Sequence, residues 1–184
     1  MRPRGIDPNQ CLNLVLKAAI EIVGAEKGTL QLLEASSSAL VIAVQHGFEE
    51  PFLKFFEQVR DDHCACGAAM QSSKQVVVEN VLESDVFRGQ ASQNVLIEAG
   101  VRAVICTPLM SSKNTLLGMI STHFSLPHQP GQRELQLLHL LGRQAADYLE
   151  RKNAEEHQKI LMAELDHRVK NVLARVVGVA DSTC

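Results

Sequence analysis

Residues 101–125 read VRAVICTPLMSSKNTLLGMISTHFS, two long apolar runs that are separated by the polar segment SSKN. Each run is long enough to be buried on at least one face, and so predicts a β-strand, over 101–110 and over 115–125. The short polar connection predicts that these two strands form a hairpin.

The same pattern occurs earlier in the chain. The runs TLQLLE (29–34) and ALVIAVQHG (39–47) are separated by the turn-prone ASSS, and they predict a first hairpin. The run QVVVEN (75–80) predicts one more strand. Helices are predicted around these strands, so the expected fold class is α+β, with a largely antiparallel sheet flanked by helices.

Helical spacing of apolar residues predicts an N-terminal helix over 11–23, with Asp7 and Pro8 as its cap and first-turn proline. PFLKFFEQV (51–59) predicts a helix whose phenylalanines, Phe52, Phe55 and Phe56, belong to the core. Two shorter helices are predicted at CGAAMQSS (66–73) and at NVLIEAG (94–100), which ends on a glycine as a C-cap does.

The segment LPHQPGQ (126–132) breaks regular structure, and beyond it there is no proline, so one long helix is predicted. Along it, residues spaced three or four apart form a predicted heptad seam that pairs with a second copy of the chain: Leu138, Leu141, Ala145, Tyr148, Lys152, Glu155, Lys159, Met162, Leu165, Val169, Val172, Val176 and Val179. The predicted divisions are a first domain (1–130), a coiled-coil helix (131–160) and the start of a further helical segment (161–184).

Composition narrows the classes of partner. The net charge is -3 and the chain contains no Trp and one Tyr, so neither a nucleic acid nor an anionic membrane surface is an expected partner. No apolar run approaches the roughly 18 residues of a membrane-spanning helix. Five cysteines, an odd number without a framework pattern, fit a reducing compartment, and the expected location is cytoplasmic.

His167 lies in the segment ELDHRVKN (164–171), with Arg168, Lys170 and Asn171 beside it. With Met162 at heptad position a, His167 falls at position f and is predicted to be exposed. A neutral imidazole is a nucleophile toward phosphorus, and nearby cations attract phosphate oxygens. From the spacing alone, a helical histidine beside Arg and Lys is usually a solvated surface residue.

The longer segment LMAELDHRVKNVLARVVGVA (161–180) resembles the phosphoacceptor box of bacterial sensor histidine kinases of the HWE and HisKA_2 groups, with its H-R-x-K-N core. The resemblance implies that His167 accepts the γ-phosphoryl group of ATP and passes it to an aspartate of a response regulator receiver domain. Arg168 stands where the more widespread kinase box has an acidic residue, which leaves Asp166 and Glu164 as weak candidates for orienting the imidazole. The chain contains no phosphate-cradling loop. ATP is therefore expected to bind a catalytic domain outside these 184 residues, no cofactor is assigned, and autonomous enzyme activity stays open.

The front of the chain resembles a GAF domain. The resemblance is carried by GTLQLLE, by the helix start at Cys66, Gly67 and Ala68 before QVVVENV, by AGVRAVICTPL and by LLGMISTHF. It implies a five- or six-stranded sheet and a small-molecule ligand, of unknown identity, between the sheet and its helices.

The candidate residues for that ligand pocket are His63, Cys66, Arg102 and His123. Arg102 has a second interpretation as an exposed edge salt bridge, and His123 as a hydrogen-bonded core histidine. HCAC (63–66) lies near a helix start, where the dipole favours a thiolate. It is short of metal ligands unless His123 or Cys106 joins it, so no metal site is assigned.

Two other functions remain open from the sequence. The chain could be a GAF dimerisation and ligand-binding module in which His167 is inert. It could also be a thiol enzyme that reduces methionine sulfoxide, which requires Cys64, Cys66 and Cys106 to converge.

Overall fold

Strands and short helices alternate before one long C-terminal helix, in a computed structural model that describes the backbone of residues 8–60 and 64–181 and the side chains of 9–60 and 64–170. Asp7, His63 and Cys184 lie outside the described residues. The elements are α1 (Pro8–Val23), β1 (Lys27–Glu34), β2 (Ala39–His46), α2 (Glu50–Phe55), β3 (Gln58–Val59), α3 (Ala65–Ser72), β4 (Val76–Val78), α4 (Ala91–Glu98), β5 (Ala103–Met110), β6 (Leu116–Phe124) and α5 (Gln132–Asp181).

The strands form one six-stranded sheet in the order β3-β2-β1-β6-β5-β4, and every pairing is antiparallel. Both predicted hairpins, β1–β2 and β5–β6, are present, and the pairing of β1 with β6 joins them at the centre. The predicted α+β fold with an antiparallel sheet flanked by helices and followed by a long helix is therefore confirmed.

Helices cover both faces of the sheet. On one face, Gly28 lies against Leu16 and Ile20 of α1, and Gly142 of α5 lies against Thr107 and Pro108 of β5. Helices α2, α3 and α4 contribute to an apolar core on the other face. Because side chains alternate along a strand, residues adjacent in sequence on β1, β5 and β6 belong to different cores.

The predicted helix over 51–59 is too long. Helix α2 ends at Phe55, and Val59 instead pairs with Leu40 of β2 in the two-residue edge strand β3. Phe52 and Phe56 are buried as predicted, one turn apart, whereas the side chain of Phe55 is 43% exposed. The prediction that Phe55 belongs to the core is wrong because these two residues already occupy the inward side of the turn.

Helix α5 is 50 residues long and crosses the boundary between two compact units. The first unit extends through Asp147, beyond the predicted boundary at residue 130, because Leu138, Ala145 and Ala146 are buried. The second unit begins at Tyr148. Within it, every described side chain from 153 to 170 is exposed.

The predicted alternation of three and four residues along α5 fails at one point. Lys159, Met162 and Leu165 are separated by two successive steps of three. The seam therefore consists of two stretches in different heptad frames, which share Met162. A three-residue insertion of this kind overwinds a coiled coil locally.

A helix that crosses a membrane must be long and predominantly apolar. Among the described residues, none of the helices combines the length and the apolar character that crossing a bilayer requires.

Candidate functional site

A small cavity lies between the sheet and helices α2, α3 and α4. Thr29 and Gln31 of β1 and His123 of β6 line it from the sheet, and Phe52, Phe56, Cys64 and Cys66 are among the side chains that close it. Its volume is about 20 Å³, which is space for roughly one water molecule. Phe56 and Cys64 also border a larger surface depression of about 420 Å³.

Two polar groups in this cavity are buried without a hydrogen-bond partner among the described residues. They are Oε1 of Gln31 and Nδ1 of His123. A buried polar group left unpaired costs about 1–3 kcal/mol, and in native proteins most such groups are satisfied by protein or water. An occupant as small as one water molecule, hydrogen bonded to Gln31 and His123, would satisfy both groups.

His123 is held in its neutral form. Burial, reinforced by the nearby positive charge of Lys27, lowers the pKa of His123 to about 3. Phe48 and Phe52 place their rings edge-on to the imidazole, with centroids 4.9 and 5.8 Å from it. Lys27 is directed away to the carbonyl oxygen of Ala99, to which Nζ donates a hydrogen bond of 2.6 Å.

Three thiols lie close together beside the cavity. Cys64 is the N-cap of α3 and accepts a hydrogen bond from the backbone N–H of Gly67 at 3.4 Å. The Sγ atom of Cys66, in the first turn of α3, lies 3.5 Å from Sγ of Cys106 on β5. Ser121 Oγ lies 3.2 Å from Cys66 Sγ and 3.3 Å from Cys106 Sγ.

The prediction that the helix dipole favours a thiolate here is wrong in direction. Hydrogen bonding with Cys66, together with burial, raises the pKa of the Cys64 thiol. Hydrogen bonding with Cys106 likewise raises the pKa of Cys66 well above its ordinary value. Neighbouring thiols and desolvation outweigh the partial charge of a short helix terminus.

The four pocket candidates separate in the fold. Cys66 and His123 line the cavity, whereas His63 lies outside the described residues. Arg102 is not on the cavity wall, and its guanidinium donates instead to the carbonyl oxygen of Val101 at 3.1 Å. Arg102 precedes β5, and its contact with an acidic ligand group stays a prediction. Among the side chains that the structure describes, in 9–60 and 64–170, no group of three from His, Cys, Asp or Glu is placed to hold a metal ion.

Gln31 was missed by sequence reasoning. Gln31 lies among apolar residues in the run TLQLLE, and its side chain is only 1% exposed. The signal that could have found it is a single polar residue in the middle of an apolar run. Such a residue is buried when both faces of the strand are covered by helices.

The residues around His167 form a second candidate site, on the exposed part of α5. His167 is exposed, as is every other described side chain from 153 to 170. Arg168 pairs with Glu164 at 3.0 Å and Lys170 pairs with Asp166 at 2.6 Å, so both acidic candidates for orienting the imidazole contact cations. The side chain of Asn171 lies outside the described residues.

Known structures share this fold. A domain ascribed to a two-component sensor histidine kinase of Sinorhizobium meliloti superposes with a TM-score of 0.68 at 16% identity, over 84% of this chain and 99% of that one. The free methionine-R-sulfoxide reductase of Neisseria meningitidis, in complex with its substrate, gives 0.63 at 19% identity over 78% of each chain. The GAF domain of an Acinetobacter phosphoenolpyruvate-protein phosphotransferase gives 0.68 at 12% identity, over 83% of this chain and 87% of that one.

At these identities the structural similarities establish the fold alone. A search of curated protein sequences finds no match. Residues 5–150 match the family described as GAF domain, and this range is most of the chain. The chain therefore belongs to the GAF domain family.

Proposed function

We propose that this chain is the sensory and dimerisation segment of a cytoplasmic two-component sensor histidine kinase. In this proposal, the GAF domain controls phosphorylation of His167 and the later transfer of phosphate to a response regulator receiver domain. The observation that carries the proposal is the H-R-x-K-N segment of α5, in which His167, Arg168 and Lys170 are exposed. The first turns of the same helix pack on the GAF sheet.

The charges beside His167 are suited to a phosphoryl group. Arg168 and Lys170 are held by acidic residues one turn earlier, in pairs that are well exposed to solvent. Exposed pairs of this kind contribute about 0.3–0.5 kcal/mol each, so a multiply charged phosphate can draw either cation away from its partner. Arg168 and Lys170 are therefore available to neutralise the charge that arrives at the imidazole.

Homodimerisation through α5 is supported by apolar side chains that a single chain leaves in water. Met162, Leu165 and Val169 occupy positions a, d and a of the second heptad stretch and are more than half exposed. A second copy of the same helix offers the same seam, and pairing would bury both. His167 at position f then stays on the outside of the pair.

The signal that enters the GAF domain is proposed to be a small neutral molecule. None of the described side chains on the cavity wall is an Asp, Glu, Lys or Arg, and His123 is neutral. With space for about one water, the cavity must expand by movement of its helical wall before it accepts a larger ligand.

The test supplies the chain with the ATP-binding domain of an HWE-group kinase and γ-labelled ATP. We expect acid-labile phosphate on the wild type and none on His167→Gln. His157→Gln is the matched control, because His157 is also exposed on α5 but lies outside the H-R-x-K-N segment, and it should be labelled like the wild type. Absence of label on the wild type, or equal label on His167→Gln, would leave the alternative of a GAF module with an inert His167.

A thiol enzyme is a second candidate, because Cys66 and Cys106 do converge. Two observations oppose it: the raised pKa of Cys66 keeps its thiolate fraction small, and a cavity of about 20 Å³ has no space for methionine sulfoxide. We expect no sulfoxide reduction by the wild type. Turnover that disappears in Cys66→Ser would favour the enzyme instead.

A further inference from the structure

Cys66 and Cys106 are separated by 3.5 Å between their sulfur atoms, although they are distant in sequence. We propose that these two residues are an oxidation site, at which a hydroperoxide converts the pair to a reversible disulfide. This property goes beyond the proposed kinase function and does not depend on His167.

The geometry favours this pairing. A disulfide bond is about 2.05 Å long, so the sulfurs must approach by about 1.5 Å, a distance within reach of side-chain rotation and a small shift of α3. Cys64, the alternative partner of Cys66, is its near neighbour in sequence, and its sulfur is directed to the backbone N–H of Gly67 as the cap of α3. Formation of a Cys64–Cys66 bond would remove that cap.

The exposure of the two thiols determines which one reacts first with the hydroperoxide. Cys66 lines the cavity and is partly exposed, whereas Cys106 is fully buried. The Cys66 thiolate attacks one peroxide oxygen, the O–O bond breaks, and the departing oxygen takes up a proton to leave as water (or as an alcohol from an organic hydroperoxide). The product is a Cys66 sulfenic acid.

In the second step, Cys106 loses its proton and its sulfur attacks the Cys66 sulfur. The S–O bond breaks and the oxygen leaves as water. For hydrogen peroxide, the balance is one peroxide reduced to two waters and two thiols oxidised to one disulfide. The raised pKa of Cys66 keeps the thiolate fraction small near neutral pH, so the first step accelerates as pH rises.

The position of the pair gives the oxidation a structural consequence. Cys66 belongs to α3, which forms part of the cavity wall, and Cys106 is on the strand β5. The next two residues of that strand, Thr107 and Pro108, contact Gly142 of α5 on the opposite side of the sheet. A new bond at Cys106 therefore acts on the same strand on which α5 packs.

The experiment uses the full chain with Cys11→Ser and Cys184→Ser, which leaves Cys64, Cys66 and Cys106 as the only thiols. After treatment with hydrogen peroxide, thiols are counted in denaturant and peptides are mapped by mass spectrometry. We expect three reactive thiols to fall to one, a peptide linking Cys66 to Cys106, and recovery of all three with dithiothreitol. Between pH 7 and 8 the rate should rise about tenfold, in line with the thiolate fraction.

Two variants in the same background test the partner choice. Cys66→Ser should retain both of its remaining thiols under conditions that oxidise the parent. Cys106→Ser should lose the Cys66 thiol to a sulfenic acid, trapped with dimedone, and should form no disulfide. If Cys106→Ser does not fold, the peptide map of the parent and Cys66→Ser together still decide. A Cys64–Cys66 link in the parent, unchanged thiols, or oxidation that stops at sulfinic acid would overturn the proposal.

Discussion

His123 is a titratable side chain that the fold keeps uncharged inside an apolar cavity. Its polar companion on the cavity wall is Gln31, whose Oε1 atom, like Nδ1 of His123, has no hydrogen-bond partner among the described residues. Both groups carry a cost that ordinary core residues avoid, since desolvation is not repaid by a hydrogen bond. This cost is acceptable where a ligand or a water completes the site.

The first prediction concerns pH. An unfolded histidine has a pKa of about 6.5, whereas the pKa of folded His123 is about 3 because of burial and Lys27. Between these values the unfolded chain binds a proton that the folded chain does not, so stability is fully present above pH 6.5 and is lost as pH falls toward 3. Between pH 7.5 and 5 we expect wild type to lose about 2 kcal/mol more unfolding free energy than His123→Gln, measured by urea denaturation.

The control for this prediction is His139→Gln, which changes an exposed histidine in the part of α5 that belongs to the same compact unit. Its free energy of unfolding should follow the same pH dependence as wild type. Equal pH dependence in wild type and His123→Gln would mean that folding does not lower the pKa of His123.

The second prediction concerns Gly118, which allows β1 and β6 to approach closely. A Cβ at this position would overlap the backbone carbonyl oxygen of Gln31 and lie 3.2 Å from Leu109. Because the backbone of a central strand cannot move aside freely, Gly118→Ala should cost about 1–3 kcal/mol in urea denaturation. Gly131→Ala is the control, since its Cβ would meet only the flexible carboxylate of Glu134 and should change stability by under about 0.5 kcal/mol. Similar costs for the two variants would contradict the account.

Among the elements, α5 has two different environments along its length. Its first turns are buried against the GAF sheet through residues such as Leu138 and Ala145. Beyond residue 152 the described side chains face solvent, and the apolar ones among them form the second heptad stretch or lie beside it. The same helix therefore packs within one chain along its first turns, and between 153 and 170 it leaves the apolar side chains of the predicted seam exposed.

The third prediction tests that seam with two matched residues. Leu165 is 58% exposed at a seam position, and Ile160 is 65% exposed outside both heptad frames. Leu165→Asp places a charge where two helices would meet, and it should weaken dimerisation at least tenfold in sedimentation equilibrium. Ile160→Asp should leave the dissociation constant nearly unchanged. If both substitutions weaken association equally, dimerisation does not use this seam.

Elements that neighbouring residues in the sequence specify can be predicted, whereas elements that depend on contacts with distant residues cannot. The hairpins follow from runs of apolar residues with turn residues between them, which are local features. Strand β3 was missed because two residues, Gln58 and Val59, are too few to show a period and pair only through contact with β2. The helical spacing of Phe52, Phe55 and Phe56 continues to Val59, so the predicted helix wrongly included the residues of β3.

The candidate site was less predictable than the fold. Cys66 and Cys106 are 40 residues apart, and their contact depends on how α3 packs on β5, which no local pattern specifies. Gln31 looked like an ordinary strand residue because its burial comes from helices elsewhere in the chain. His167 is exposed together with every other described side chain from 153 to 170, so its predicted position on the outer side of a helix pair stays a prediction.

In the first compact unit, neighbouring side chains of β5 face opposite sides of the sheet. Cys106 faces the cavity side, and the adjacent Thr107 lies on the side that packs against Gly142 of α5. A change in the cavity can therefore reach the first turns of α5 through a shift of one strand. Whether it continues along the helix depends on the angular relation between these turns and the segment around His167.

The fourth prediction tests that relation by insertion. Four residues inserted after Lys152 rotate the downstream helix by about 40°, whereas seven rotate it by only about 20° in the opposite sense. If helix phase carries the signal, the four-residue insertion should change the rate of His167 labelling by a supplied kinase domain about fivefold or more, the scale of an ordinary coupling energy. The labelling rate of the seven-residue insertion should stay close to that of wild type. This insertion nearly restores the angular position of the downstream residues, although it lengthens the helix more than the four-residue insertion does. Labelling at wild-type rates in both variants would mean that the phosphoacceptor segment does not depend on the angular position of α5, and the GAF domain would then have to act on His167 by another route.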